Sequence, residues 1–501
     1  MNIKGVNMKV IGIFLLGACA FAADLSGNWL VAAPRNDGTF ARTYFDIKPD
    51  GTTNKGEIHT PSAHYIITEV TGGSDGFTLS ATYTDNRSVR PMKYEGKIVG
   101  DELHITATGG RGTPREMVAH RVPEGEGLYP KKNPIPALHK VPYNGLAKTP
   151  PMGWNSWNKF GHSVDDAAVR GVADAIATNG MKDAGYVYIN IDDTWEGDRD
   201  AKGNITSNKK FPDMKALADY VHSKGLKIGI YSSPGPATCA GYEGSYNHEL
   251  QDAKTYASWG IDYLKYDWCS ALNLYTNEEM QAVYQIMGDA LRQAGRPIVF
   301  SLCQYGRNEV WKWGPEVGGN LWRTTGDISD RWMSMANIGF RQNDLAPYAA
   351  PGHWNDPDML EIGNGHMTDD EYRTHMSLWS MLAAPLLAGN DVRDMSQATK
   401  DILLNKEAIA IDQDPLGKQG TRLSQNGDQE IWVRELAGGA KAVALFNRGD
   451  KAAEMTVKWS DVGASAKPKV RDLWAHQDVN VEGGSYTATV PVHGVVLLRV
   501  K

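Results

Sequence analysis

Apolar and polar residues alternate with a short period along the first part of the chain. Within Met92–Ile98 apolar and charged side chains follow one another in β-type alternation, and Gly100 and Asp101 form a turn signal before the run Leu103–Ile105. No helical period is visible between residues 24 and 122, so this stretch predicts a small all-β module. Residues 123–148, rich in proline and glycine, are typical of a linker.

From residue 149 to residue 416 short apolar strands alternate with amphipathic helices. Two later helices are expected to begin at capping boxes, Thr276–Glu279 and Thr368–Glu371. Two earlier helices carry apolar side chains at helical spacing: Val169, Val172, Ala173 and Ile176, and Met214, Leu217, Ala218 and Val221. Eight candidate strands, the number in a TIM barrel, lie near 152–154, 186–192, 227–232, 263–267, 298–303, 321–325, 353–355 and 386–389.

After residue 416 the alternation of strands and helices stops. Strand-like segments such as Glu430–Val433 and Ala442–Phe446 are separated by Gly, Asn and Asp turns, which predicts a β-sandwich over 417–501. The predicted fold class is therefore α/β, a (β/α)8 TIM barrel with a C-terminal antiparallel β-sandwich and a small N-terminal all-β domain.

The first 22 residues have the composition of an export signal. Lys4 and Lys9 precede a short apolar run, and residues 20–22 (Ala-Phe-Ala) form a small-x-small cleavage site. The run is too short to span a bilayer, and no other stretch predicts a transmembrane helix. Cleavage after residue 22 predicts a periplasmic or extracellular protein, and the alternative is lipoprotein processing that leaves a lipid anchor on Cys19.

Composition and charge narrow the range of partners. The chain of 501 residues has a formal net charge of −7 and no basic cluster, so nucleic acid is not an expected partner. No feature of the sequence specifies an oligomeric state. Cys239, Cys269 and Cys303 match no zinc-binding pattern, and their odd number leaves at least one thiol unpaired.

Several of the predicted barrel strands end in polar or acidic residues. In a TIM barrel these ends meet at one mouth, where carboxylates, basic groups and tryptophans together predict a sugar pocket. Each strand-end aspartate has a simpler alternative role as the cap of the next helix, and Asp356, before a proline, is the one expected to be structural. The strand-end residues are Asp192, Asp193, Lys265, Asp267, Arg323 and Asp327.

Glycoside hydrolysis needs one ionised and one protonated carboxyl group. Lys265 and Asp267 are two apart on a strand and point the same way, so the ammonium favours a charged Asp267, which suits a nucleophile. Asp327 follows a different strand and would face Asp267 as general acid/base. Arg323 is expected to bind a sugar hydroxyl rather than to hold Asp327 ionised, whereas Lys265 alone would more often form a structural ion pair. The residues alone predict a TIM-barrel hydrolase that acts on a sugar.

Seven motifs in this region resemble those of glycoside hydrolase family 27, which contains α-galactosidases and α-N-acetylgalactosaminidases. The resemblance covers about residues 150–501 in order, includes the C-terminal β domain, and leaves the N-terminal module outside. The motifs are TPPMGWNSW (149–157), IDDTW (191–195), GIY (229–231), TCAG (238–241), YLKYDWC (263–269), WRTTGDI (322–328) and WNDPDM (354–359).

The resemblance implies a role for individual residues. Asp267 matches the nucleophile of the family and Asp327 its general acid/base. Cys239 and Cys269 match a disulfide beside the nucleophile strand, which leaves Cys303 free. The positions that match substrate ligands are Asp192 and Asp193 (O4 and O6), Lys265 and Arg323 (ring hydroxyls), Trp157 and Tyr231 (pocket walls), and Asp358 and Met359 (the opposite side).

One position departs from the family pattern. Many members carry glutamate after the cysteine that ends the fifth strand, where it contacts the sugar 2-hydroxyl, and this chain has Gln304 there. The amide still bonds a hydroxyl, without charge. Acetamido-sugar enzymes of the family have small residues here, so glutamine favours galactose. β-L-Arabinopyranosidases tend to alter the first aspartate of the pair, and this chain retains Asp192.

The sequence therefore predicts an exported, retaining, exo-acting α-galactosidase that needs neither a metal nor an organic cofactor. Its two catalytic carboxyl groups are expected roughly 5 Å apart. Its expected substrates are galactoside oligosaccharides or polysaccharide side chains. The alternatives are an α-N-acetylgalactosaminidase or β-L-arabinopyranosidase of the same family and, from a different class, a non-catalytic carbohydrate-binding protein.

Overall fold

A computed structural model describes residues 25–50, 53–60, 63–84, 89–109, 114–127, 129–481 and 483–501. The predicted export signal and Cys19 lie outside these residues. The chain divides into two compact units, of which the first comprises Met1–Ala32, Arg42–His59 and His64–Leu128. The second comprises Ala33–Ala41, Thr60–Ala63 and Tyr129–Lys501. No helix within the described ranges has the length and apolar character needed to cross a membrane.

The first unit contains a closed barrel of antiparallel strands, which confirms the predicted all-β module. The barrel closes where Asn28 of the first strand pairs with Val122 of the last. Alternate side chains such as Phe45, Ile47 and Ile58 point into its apolar core. The strands are Gly27–Pro34, Phe40–Asp50, Thr53–His59, His64–Gly73, Gly76–Thr84, Val89–Val99, Glu102–Gly109 and Arg115–Val122.

The second unit is built on eight parallel strands in the ring order of a TIM barrel, as predicted. The ring is completed by an isolated bridge between Leu360 and Ala388. A two-stranded hairpin, Glu196–Arg199 with Ile205–Ser207, lies in the loop after the second strand. The parallel strands are Met152–Asn155, Tyr188–Asn190, Lys227–Ser232, Tyr263–Asp267, Val299–Cys303, Leu321–Arg323, Trp354–Asp356 and Leu386–Ala388.

Helices surround this ring of strands. The α-helices are Trp157–Phe160, Asp166–Thr178, Met181–Ala184, Met214–Ser223, Glu249–Trp259, Met280–Gln293, Trp332–Gly339, Asp369–Leu382, Gln397–Leu403 and Lys406–Asp412. The 3-10 helices are Gly161–Ser163, Ser270–Asn273, Arg307–Lys312, Gly314–Val317, Phe340–Tyr348 and Ala437–Gly439. The apolar positions predicted for Asp166–Thr178 and Met214–Ser223 are the buried ones, because they form the face turned to the strands.

One of the two predicted capping boxes forms. Thr368 and Glu371 bond each other's backbone N–H groups at the start of the helix Asp369–Leu382. The box predicted at Thr276 is wrong, because its helix begins at Met280 with Glu279 as the N-cap. Glu279 does accept the N–H of Thr276, at 2.9 Å, but the Thr276 hydroxyl bonds the carboxylate of Glu278 and is therefore not used for the helix.

The C-terminal part packs a six-stranded antiparallel sheet against a two-stranded one, as predicted for a sandwich. Val443, Leu445, Met455, Val457 and Trp459 are buried in its core. In order across the larger sheet the strands are Thr421–Asn426, Gln429–Glu435, Lys441–Asn447, Val495–Val500, Val470–Asp472 and Gln477–Val479. Ala453–Lys458 and Ser485–Val490 form the smaller sheet.

Candidate active site

The carboxylate of Asp267 lies at the end of the fourth parallel strand and is 4% exposed. The hydroxyl of Tyr231, on the neighbouring strand, donates to its Oδ2 at 3.1 Å, and Tyr305 bonds the same carboxylate. Oδ1 is buried and accepts no hydrogen bond from any described residue. Oδ2 is thus oriented by the Tyr231 hydroxyl, while Oδ1 is left for a ligand.

Burial raises the pKa of Asp267 to about 6. The ammonium of Lys265 and the Tyr305 hydroxyl lower this pKa, as the sequence suggested for Lys265, but the loss of hydration outweighs them. The charges of Asp327 and Asp192 also contribute to the raised value. Asp267 is therefore ionised at neutral pH, but its charge is held at a higher free-energy cost than that of an ordinary aspartate.

Lys265 bonds Asp192 directly. Its Nζ lies 2.8 Å from Asp192 Oδ2, which also accepts from Asn155 Nδ2 at 2.7 Å. The N–H of Asp193 donates to Asp192 Oδ1 at 3.0 Å. The contacts fix the plane of the Asp192 carboxylate at the mouth of the second strand.

Asp193 accepts hydrogen bonds from two backbone groups and from the Thr238 side chain. Its Oδ1 accepts from the N–H of Thr194 and its Oδ2 from the N–H of Ala240, both at 2.7 Å. Burial raises its pKa to about 7. Glu196, which sequence reasoning missed, lies beside it: Glu196 Oε2 accepts from Thr194, and burial together with the charge of Asp193 raises the pKa of Glu196 well above its ordinary value.

Arg323 bridges two aspartates. Its Nη2 lies 3.1 Å from Asp327 Oδ1 and 2.8 Å from Asp358 Oδ2. Arg323 and Asp327 are four residues apart within one tight loop, which brings them into contact, and the expected bond from Arg323 to a sugar hydroxyl stays a prediction. The Asp327 side chain is 72% exposed, whereas Arg323 is buried and its Nε donates to no described residue. A polar donor and an accessible carboxyl group therefore border the same space.

Asp358 is held on the opposite side by backbone groups. It accepts from the N–H of Ile328 at 2.9 Å and from that of Met359 at 2.8 Å. The Asp356 carboxylate accepts the N–H of Asp358 at 2.8 Å, the structural turn role expected of it. Asp358 has φ +90°, and Thr194 and Tyr305 also have positive φ. Backbone strain of this kind concentrates at functional sites.

Gln304 and Trp157 complete the group predicted from the sequence. Gln304 is fully buried, and its Oε1 accepts from the N–H of Gly306 at 3.1 Å. Its Nε2 is buried with no hydrogen-bond acceptor in the described part of the chain, so it remains available to a ligand. Trp157 is half-buried, with its ring centroid 5.6 Å from that of His162.

A disulfide joins Cys239 to Cys269, and Cys303 is a buried free thiol, as the resemblance implied. Cys269 Sγ lies 3.2 Å from the hydroxyl of Tyr231, and Cys239 Sγ lies 3.7 Å from that of Tyr305. The disulfide therefore lies against both tyrosines that contact the Asp267 carboxylate.

The segment Ala33–Ala41, which belongs to the second unit, was also missed because it lies outside the motifs. Arg35 Nη2 donates to the carbonyl oxygens of Gly241 at 2.8 Å and Ala240 at 3.2 Å, and its guanidinium carbon lies 4.1 Å from the ring centroid of Tyr242. The hydroxyl of Tyr242 donates to Asp37. This segment thus supports the loop whose Ala240 N–H bonds Asp193.

Two family models match the chain. The model described as alpha galactosidase A matches residues 149–414, and the model of the alpha galactosidase C-terminal beta sandwich domain matches residues 426–500. The first covers the parallel strands and every residue of the candidate site described above except Arg35 and Asp37. The second covers most of the sandwich.

Individual proteins show the same likeness. Alpha-galactosidase A of Cellvibrio japonicus is 49% identical over 383 residues, 71% of this chain and 93% of the relative. The crystal structure of alpha-galactosidase I from Mortierella vinacea is 39% identical with a TM-score of 0.68, over 71% of this chain and 98% of that one. A Saccharomyces cerevisiae α-galactosidase solved with raffinose is 30% identical with a TM-score of 0.67, over 72% and 99% of the two chains.

Proposed function

The chain belongs to the α-galactosidase family, glycoside hydrolase family 27, and we propose that it is a retaining, exo-acting α-galactosidase that removes terminal α-D-galactosyl residues by double displacement. The observation that carries the proposal is the pair of unlike carboxyl groups at the barrel mouth. Asp267 is buried with one oriented and one unbonded oxygen, whereas Asp327 is exposed and close enough to raise the pKa of Asp267. Unlike environments are what separate the nucleophile from the acid.

In the proposed first step, Asp267 Oδ1 attacks the anomeric carbon while Asp327 donates its proton to the glycosidic oxygen. The aglycone departs as an alcohol, and the sugar is bound to Asp267 as an ester of inverted anomeric configuration. In the second step Asp327 takes a proton from water, whose oxygen attacks the same carbon and releases Asp267. Two inversions give galactose of the original α configuration.

Arg323 is proposed to hold the acid and the sugar in one arrangement. Its guanidinium contacts Asp327, the proposed acid, at 3.1 Å and Asp358 at 2.8 Å. A sugar hydroxyl that accepts a hydrogen bond from Arg323 would therefore bind next to the proposed acid.

The proposed sugar ligands are the polar groups left over after the internal bonds are made. Gln304 Nε2 and Arg323 Nε are buried donors without described acceptors. We assign Asp192 and Asp193 to O4 and O6 of the sugar, and Lys265, which bonds Asp192, to a ring hydroxyl together with Arg323. Tyr231 and Trp157 provide the apolar walls, with Met359 opposite. Buried polar groups without partners are costly unless a ligand satisfies them.

Galactose is favoured over the two related sugars. Gln304, which is fully buried, stands at the position where acetamido-sugar enzymes of the family have small residues, and the retained Asp192 argues against a β-L-arabinopyranosidase. The proposed substrates are oligosaccharides or polysaccharide side chains that end in α-galactose. The Cys239–Cys269 disulfide supports an oxidising compartment, so we place the enzyme in the periplasm or outside the cell.

Initial rates on p-nitrophenyl α-galactoside, α-N-acetylgalactosaminide and β-L-arabinopyranoside, with the first product anomer followed by NMR, test the proposal. The expected result is preference for the α-galactoside and release of α-galactose before mutarotation. Preference for another glycoside would overturn the sugar assignment and leave the mechanism standing. First release of β-galactose would overturn the retaining mechanism, and no turnover on any of the three would favour a binding protein.

A further inference from the structure

A cluster of two histidines and a glutamate lies in the N-terminal barrel. Glu57 and His59 are two apart on the strand Thr53–His59, and His64 begins the next strand, directly opposite His59. Ile58, between them, points into the apolar core, so strand alternation places all three side chains on the outer face. The spacing of two residues between Glu57 and His59, and the cross-strand pair of His59 with His64, thus bring three side chains that can bind a metal close together.

The distances between the ligand atoms suit one small cation. Glu57 Oε2 lies 3.3 Å from His59 Nε2 and 3.2 Å from His64 Nε2, and the three residues offer ligand atoms that all lie within 4.8 Å of one another. A tetrahedral zinc ion with bonds of about 2.0–2.2 Å separates its ligand atoms by roughly 3.2–3.6 Å. The glutamate-to-histidine spacings already match this geometry.

The two imidazoles lie side by side. The rings of His59 and His64 are stacked at a centroid distance of 4.6 Å. A neutral imidazole carries the lone pair that a metal ion needs.

Asp46 gives a second, independent observation. It lies on the strand Phe40–Asp50 directly opposite Glu57 and is 4% exposed. Its Oδ2 pairs with Lys48 Nζ at 2.7 Å, but its Oδ1 is buried with no hydrogen-bond partner in the described residues. Asp46 adds negative charge next to His59, and outer carboxylates of this kind commonly bond the far nitrogen of a metal-bound histidine.

We propose that Glu57, His59 and His64 bind a divalent transition-metal ion, Zn²⁺ by their donor set, with water as the fourth ligand. Two imidazoles and one carboxylate are a donor set that zinc accepts. The side chains of Glu57 and His64 are 43% and 23% exposed, which leaves the ion a path from solvent. The ion would join the third and fourth strands of the barrel.

Zinc binding to the tag-free, full-length protein, measured by calorimetry after dialysis against a chelator, tests the site. The expected result is one equivalent of Zn²⁺ per chain in the wild type and an affinity at least tenfold lower in His64→Gln and in Glu57→Gln. Both residues are partly exposed, so these variants are expected to fold, which circular dichroism checks. Co²⁺ in place of zinc should give the visible absorption of a four-coordinate site, lost in the same variants.

His104→Gln is the matched control. His104 lies in the same barrel and bonds a glutamate, Glu102, at 2.9 Å, but it belongs to no group of three ligand atoms among the described residues. The His104→Gln variant should bind one equivalent of zinc with the affinity of the wild type. Absence of a bound equivalent in the wild type, or equal affinity in wild type and His64→Gln, would overturn the proposal. So would a loss of binding in His104→Gln alone.

Discussion

Lys265 Nζ donates to Asp192 Oδ2 at 2.8 Å, so the ammonium next to the proposed nucleophile is bonded to a different carboxylate. The hydrogen bonds to Asp267 come instead from the hydroxyls of Tyr231 and Tyr305. Hydroxyl donors stabilise a carboxylate less than a directly paired cation does. Burial raises the pKa of Asp267, and neither the hydroxyl donors nor the nearby ammonium of Lys265 offsets this effect, so the carboxylate keeps a poorly solvated charge.

Replacing Asp267 by asparagine should remove the nucleophile and keep the fold. We expect kcat to fall by about 10³-fold or more, because no other carboxylate can form the ester. Thermal unfolding should be little changed, since the variant removes a buried charge. Azide added to Asp267→Asn should give β-galactosyl azide. The control is Asp356→Asn, a buried strand-end aspartate with a turn role, and loss of activity in both variants alike would contradict the assignment.

Replacing Asp327 by asparagine should have an effect that depends on the leaving group. The first step then lacks its acid, so poor leaving groups such as raffinose-type alcohols should lose about 10³-fold in kcat/KM, and dinitrophenol far less. Rates on the two substrate types, measured in parallel, check this. An equal loss on both would show that Asp327 does not protonate the aglycone.

The pH dependence follows from the raised pKa of Asp267. The carboxylate must be ionised to attack, and it gains a proton below pH 6 rather than below 4, so kcat/KM should fall as pH drops through about 6. The Tyr305 hydroxyl lowers this pKa, and Tyr305→Phe should therefore move the acidic limb to higher pH. The hydroxyl of Tyr220 bonds Asp174 between two outer helices, far from Asp267 in the fold. Tyr220→Phe should therefore leave the acidic limb of the pH profile in place. A limb that stays at the same pH in Tyr305→Phe would contradict the contact.

Arg35→Ala should weaken sugar binding without touching the sugar. Arg35 supports the loop that positions Ala240 N–H on Asp193, so we expect KM to rise by about tenfold, equivalent to 1.4 kcal/mol, with a smaller change in kcat. Arg170→Ala, which removes a comparable arginine–tyrosine contact on an outer helix, is the control. If kcat falls and KM does not rise, the segment affects the chemical step rather than sugar binding.

The disulfide should contribute measurably to stability. It closes a loop with a sequence separation of 30 between Cys239 and Cys269, and its removal by a double serine substitution should destabilise the protein by about 3–4 kcal/mol. Thermal inactivation rates check this value. Cys303→Ala breaks no crosslink and should inactivate much more slowly than the double variant; equal inactivation rates would argue against a structural role of the bond.

The strand ends were predictable because parallel strands place their carboxyl ends at one mouth. That rule locates Asp192, Asp267 and Arg323 without knowledge of distances. It does not predict which side chains bond each other. The pairs Lys265–Asp192 and Arg323–Asp327 form because of the conformations of the side chains and of the loops that carry them. The capping box expected at Thr276 failed for a similar local reason, since a neighbouring glutamate took its hydroxyl.

Other residues of the candidate site could not be predicted from strand, helix or motif patterns in the sequence. Tyr305, which bonds Asp267, has a backbone with positive φ, a conformation that strand and helix patterns do not predict. Arg35 and Asp37 lie about 200 residues from the loop that they contact, in a part of the chain with no family motif. Contacts at such separation follow from tertiary structure alone.

The catalytic unit is discontinuous in the chain, since it includes Ala33–Ala41 as well as everything after Leu128. A gene shortened to the region that matches the family models would omit Arg35 and Asp37, and the enzyme so produced would differ from the natural one at the loop carrying Ala240. Exchange of the N-terminal module with another protein by a cut in the linker has the same effect. Recombination, whether natural or designed, therefore has to retain this short segment to preserve the contacts of Arg35 and Asp37 with that loop.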